Sequence, residues 1–162
     1  MLAAFQTTLP DTALVVVCER APRYAIAVRR LLPDAKVVEA RHLDDAAAAL
    51  QAAPHALCVL EVEARRAPQT IALFAQLQAE VPQVRIIAGI ARSGERWELL
   101  LREAGAAYVV TSPRRLEPLA SWMRRHLLRS PEPPTTLRER VWRRLPWATA
   151  AANQPPEDAF PG

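Results

Sequence analysis

The sequence predicts a three-layer α/β domain, a parallel β-sheet with helices packed on both faces. Three observations predict it. Five short apolar runs alternate with five stretches of helical spacing, the links between them are short, and the first run, LVVVC at Leu14–Cys18, carries no charged residue. A strand that is apolar on both sides has to be covered on both sides, as in the middle of a parallel sheet.

After that strand, Arg20-Ala-Pro-Arg breaks the apolar run, and Pro22 suits a first helical turn, where its missing N–H would be unpaired anyway. Residues 24–32 place Ala27, Val28, Leu31 and Leu32 at helical spacing before Pro33. KVVEA at Lys36–Ala40 is the second strand, and residues 44–52 form an alanine-rich helix with Leu43 and Leu50 as its apolar contacts, stopped by Pro54. The third strand is ALCVL at 56–60, with Glu61 the first charge after it. Residues 71–81 set Leu73, Phe74, Leu77 and Val81 on one helical face, and VRII at 84–87 is the fourth strand. Ser93-Gly-Glu opens a fourth helix through Trp97, Leu99, Leu100 and Leu101, with Gly105 as its cap. Residues 108–110 are the fifth strand. The last helix runs to Arg129 with Leu116, Leu119, Met123 and Leu127 on one face, and Pro118 is expected in its first turn.

The chain therefore divides into a tail at 1–11, the α/β domain at 12–129, a proline-rich linker with a short basic amphipathic helix at 130–147, and a tail at 148–162 expected to be disordered. Its 162 residues are 51% hydrophobic and 23% charged, a globular composition with no apolar run long enough to span a bilayer. No secretory signal is visible at the start, and two cysteines make neither a disulfide framework nor a metal box, so a cytoplasmic location is expected. Charge is uneven. Residues 114–144 hold nine arginines against three glutamates, while the remainder is close to neutral.

In a sheet of this type, chemistry sits beyond the carboxyl ends of the strands. Those ends read Cys18-Glu19-Arg20, Glu61-Val62-Glu63, Ala88-Gly89-Ile90-Ala91 and Val110-Thr111-Ser112-Pro113. With EAGAAYVVTSP at 103–113, they resemble the receiver domain of two-component response regulators over about residues 14–128, the last stretch being similar to the family's EAGA…Y-[LV]-[TV]-K-P pattern. The resemblance implies a flavodoxin-like sheet in the order 2-1-3-4-5. It also implies paired acids holding Mg²⁺, a phosphoacceptor aspartate after the third strand, a hydroxyl after the fourth, and a lysine before a cis-proline after the fifth.

Carried over residue by residue, that set is depleted. Cys18 and Glu19 stand at the acidic pair, and sulfur is a donor that magnesium does not choose. Glu61 stands at the phosphoacceptor, one methylene too long for the same in-line attack. Ile90, or Gly89 with a one-residue slip, stands at the hydroxyl, and Ser112 at the lysine. Pro113 is retained, with the preceding peptide a cis candidate by resemblance. The expectation is a degenerate receiver with no catalytic residue, metal or other cofactor, signalling by protein contact without phosphorylation. A working receiver with atypical residues, and a basic nucleic-acid or membrane-surface binder, are the alternatives.

Glu19 and Glu61 are expected as solvated carboxylates, Cys18 and Cys58 as buried inert thiols, and His42, His55 and His126 as exposed or turn residues. Trp97, Tyr108 and Trp122 fall on the fourth helix, fifth strand and fifth helix. Together with Arg124 and Arg125, and with Trp142 and Trp147 in the C-terminal segment, they are the interface candidates for a protein partner or a second copy. Nucleic acid is not the expected partner, since no recognition-helix domain or zinc pattern follows.

Overall fold

The computed structural model describes residues 8–91 and 96–129. Five strands form one parallel sheet: β1 (Leu14–Cys18), β2 (Lys36–Ala40), β3 (Leu57–Val62), β4 (Arg85–Ile90) and β5 (Ala106–Val110), ordered β2-β1-β3-β4-β5. The expected order holds. The helices are α1 (Arg23–Leu31), α2 (Leu43–Ala52), α3 (Ala67–Glu80), α4 (Glu98–Glu103) and α5 (Ala120–Leu128).

Alternation along the central strands divides the core in two. Val16, Cys58, Leu60, Ile86 and Ala88 pack with Leu50 of α2, Phe74 and Leu77 of α3 and Leu101 of α4. Val15, Val17, Leu57, Val59 and Ile87 pack with Val28 of α1 and with Met123 and Leu127 of α5. Burial on both faces is what the unbroken LVVVC run requires.

Several boundaries differ from the sequence reading. β3 and β4 pair in register through Glu61↔Gly89 and Val62↔Ile90, so Glu61 lies inside its strand rather than after it. The parallel ladder supplies backbone partners there, and these outweigh the weak strand preference of a glutamate. α4 is shorter than its pattern, and Ser93, expected to open it, lies outside the described residues. The last helical segment begins as a 3-10 turn at Pro113–Leu119 and becomes α-helical at Ala120, so Pro118 precedes α5 instead of sitting in its first turn. An α-helical Pro118 would clash with the carbonyl four residues earlier, and the tighter turn avoids that.

The expected cis peptide is also absent. No cis bond occurs among the described residues; Ser112 is extended (φ −162°, ψ 159°), the conformation that a residue before a trans proline favours, and Pro113 starts the 3-10 turn. Gly105 does terminate α4 as anticipated. Its φ of +112° is one that side-chain-bearing residues rarely adopt, and an added Cβ would collide with Gln78. The linker, the basic segment and the C-terminal tail, with Trp142 and Trp147, lie outside the described residues.

Candidate functional site

The carboxyl ends of β1 and β3 bring Cys18, Glu19, Glu61 and Glu63 together, as the strand-end reading anticipates. Glu19 corrects that reading, because it is not solvated. It is 4% exposed, and its carboxylate accepts the backbone N–H groups of Arg23 (3.0 Å), Tyr24 (2.8 Å) and Ala25 (2.7 Å). These are donors of the first turn of α1, which have no carbonyl partner within the helix. Pro22 precedes the helix and provides no side-chain cap. Glu19 does that work from four residues upstream, with its negative charge against the positive end of the helix dipole.

Glu61 is half-buried and engaged. The Arg23 guanidinium donates to its Oε1, and the Arg20 backbone N–H donates to Oε2 at 3.3 Å. Arg20 pairs with Glu63 at 2.6 Å, and Arg41 donates to the backbone carbonyls of Glu19 and Arg20. What remains is a cleft of about 30 Å³ whose lining includes Glu19, Glu61, Glu63, Arg20, Arg41 and Arg66, room for little more than a water.

Arg23, Arg41 and Arg66 were not singled out from sequence. The only signal was the run of arginines around strand ends that also carry carboxylates. The donor set does not fit a magnesium ion. Glu19's two oxygens are committed to backbone donors, Glu61 has a guanidinium on it, and three further guanidiniums surround the cleft. Among the described residues, no group of three His, Cys, Asp or Glu side chains is placed to hold a metal.

The residue beside Glu61 across the sheet is Gly89, while Ile90 points to the opposite face and is buried among α2–α4 residues. Tyr24, 3% exposed, packs directly over Gly89. Ser112 and Pro113 are partly exposed at the end of β5. Burial pushes the Tyr24 hydroxyl up to about 12, with the Glu61 charge second and Arg23 opposing.

Both thiols are buried. The Cys18 thiol points to the His42 carbonyl at 3.6 Å and is pushed up to about 11, chiefly by burial and then by the charges of Asp45, Glu19 and Glu61. Burial, and secondarily Cys18, raises Cys58 as well. At about pH 8 neither thiol of the folded chain should react with Ellman's reagent, and both should react in denaturant. The sign for stability follows. An unfolded thiol loses its proton near its ordinary value of 9.0 and the folded one only at higher pH, so stability is complete below about pH 9 and falls above it. Tyr24 adds to the same alkaline loss. A urea midpoint that holds or rises between about pH 8 and pH 10 would contradict this.

The aromatic candidates separate onto the two faces. Trp97 packs against the α2–α4 side, its buried indole N–H finding no acceptor among the described residues. Tyr108 and Trp122 meet edge to face on the α1–α5 side at 4.7 Å, and His126 stacks on Trp122 at 6.2 Å. His126 is thus a half-buried helix residue, which corrects the expectation that it is exposed or in a turn. Burial, with Arg85 and His55 nearby, holds its pKa below the usual value, against backbone hydrogen bonding at Ala56 and His55. Arg124 pairs with Asp34 at 3.2 Å, and Arg125 is exposed.

This fold recurs in solved structures. A CheY-like protein, TadZ, from Pseudomonas aeruginosa is 21% identical with a TM-score of 0.60, over 75% of this chain and 98% of that one. A response regulator from Thermotoga maritima is 19% identical with a TM-score of 0.61, over 71% and 97%. An orphan response regulator of H. pylori is 11% identical with a TM-score of 0.59, over 72% and 98%. No protein-family model matches the chain, and no curated protein matches it in sequence. The chain has the CheY-like receiver fold. No described helix is long and apolar enough to cross a membrane.

Proposed function

We propose that this chain is a degenerate receiver-type module that acts in cytoplasmic signal transduction through protein contacts, without accepting a phosphoryl group and without enzymatic activity. The observation that carries the reading is the state of the strand-end cluster. The carboxylate nearest the phosphoacceptor position, Glu61, is held by Arg23, and its acidic neighbour Glu19 is consumed in capping α1. Attack on phosphorus needs a free, correctly placed oxygen, a cation to neutralise the phosphoryl oxygens and room for the group. Here the oxygen is paired, Ser112 brings no charge in place of a lysine, and the cleft is about 30 Å³.

Likeness to proteins described as response regulators supports the signalling half of the reading. The contact half is supported by α4, which exposes Leu99 (66%) and Leu100 (43%) beside β5. Incubation with acetyl phosphate and Mg²⁺, read by intact mass, should leave the protein unmodified. A phosphoryl adduct that disappears in Glu61→Ala would overturn the proposal.

A further inference from the structure

The opposite end of the sheet carries a different kind of concavity. Where β3 and β4 begin and α5 ends, His55, Arg85, Trp122, Arg125, His126 and Arg129 line a groove of about 640 Å³. Among the described residues, no Asp or Glu lines it. Arg85 donates only to the Pro82 carbonyl at 3.2 Å, and Arg85, Arg125 and Arg129 form no ion pair among the described residues. Arg124, next in sequence to Arg125, does meet a carboxylate, that of Asp34, as Arg20, Arg29 and Arg102 do with Glu63, Glu39 and Glu98. The C-terminus of α5 offers about half a negative charge, which favours cations in its last turn but cannot balance three guanidiniums.

We propose that this groove docks an acidic segment of a partner protein, whose Asp and Glu side chains pair with Arg85, Arg125 and Arg129 while Trp122 supplies the apolar contact. The proposal rests on the reading that the chain works by protein contact and assigns one such contact, separate from the exposed leucines of α4, a place and a chemistry. A planar guanidinium grips a carboxylate through two parallel hydrogen bonds, and Arg and Trp are the side chains that most often dominate an interface. Single-stranded nucleic acid would need an aromatic platform for its bases. Among the described residues Trp122 is the groove's only large aromatic, and Tyr108 and His126 already hold it as ring partners.

The test is fluorescence anisotropy on the full chain with three labelled probes: a peptide of about ten Asp and Glu residues, its Asn/Gln counterpart, and an oligothymidylate of similar length. The acidic peptide should bind at least about tenfold more tightly than either of the others. The double variant Arg125→Glu/Arg129→Glu should lose at least about tenfold of that affinity, while Arg114→Glu/Arg115→Glu, outside the groove, should lose far less. Arg125 and Arg129 are exposed, so the fold should persist; if thermal unfolding shows otherwise, Arg85→Glu provides the same reading. Equal binding by the groove variants, no peptide binding, or a preference for oligothymidylate would each overturn the proposal. A blank here alongside no phosphoryl adduct sinks only the groove, whereas an adduct on Glu61 sinks the reading beneath it.

Discussion

Glu19→Ala is expected to lower the stability of the domain by about 3 kcal/mol, visible as a melting temperature lower by roughly 10 °C. The carboxylate accepts three backbone N–H groups at 2.7–3.0 Å and is 4% exposed. Removing it leaves the donors of Tyr24 and Ala25 buried with no acceptor, at a cost of about 1–3 kcal/mol each. The helix also loses its cap and a favourable charge at its positive end. Water entering the adjoining cleft can offset part of this, which is why the sum is not expected in full. Glu19→Gln should cost less than alanine but remain destabilising, because an amide keeps one acceptor oxygen where the carboxylate offers two. Were Glu19 chiefly a metal ligand, neutralising it without metal would relieve repulsion with Glu61. A melting temperature equal to or above that of the parent would show that capping is not its role.

That role was not legible in the sequence, and the reason is physical. A glutamate just past an apolar run reads the same whether it faces water or turns back onto the next helix. The distinction depends on the path of Arg20-Ala-Pro-Arg, which carries the first turn of α1 back over the strand end. The architecture was legible because it rests on local pattern: LVVVC has to be covered on both faces, and EAGA places its glycine at a turn that needs a positive φ. Ile90 shows the limit of counting. Spacing back from Gly105 selects it, but the ladder pairs Glu61 with Gly89 and turns Ile90 to the other face, since a shift of one residue reverses every side chain. The basic groove escaped the reading because His55, Arg85 and Arg125 are far apart in the chain and meet only when the strand starts and the end of α5 assemble.

Gly89 and Tyr24 should prove energetically coupled, because the Tyr24 ring fills the space beside Gly89. Gly89→Ala alone is expected to cost about 2 kcal/mol and Tyr24→Ala alone about 3–4 kcal/mol, while the double variant should fall short of their sum by about 2 kcal/mol. A Cβ on Gly89 would lie 2.5 Å from both Cζ and Oη of Tyr24, closer than atoms tolerate, and the ring it meets is 3% exposed within the α1–α5 core. With only two side-chain torsions, the ring can clear the methyl only by leaving its packing, which costs burial and opens a void. Tyr24→Ala removes the obstacle, and the new methyl then fills part of the space. Gly89→Thr should be worse than alanine in the parent and better tolerated beside Tyr24→Ala. Threonine would bring a hydroxyl to the strand position beside Glu61, the group that the receiver resemblance asks for after the fourth strand, so Tyr24 holds the space such a side chain needs. Strictly additive stabilities, measured by urea unfolding of the four proteins in the cycle, would mean that the ring yields freely and is no obstacle.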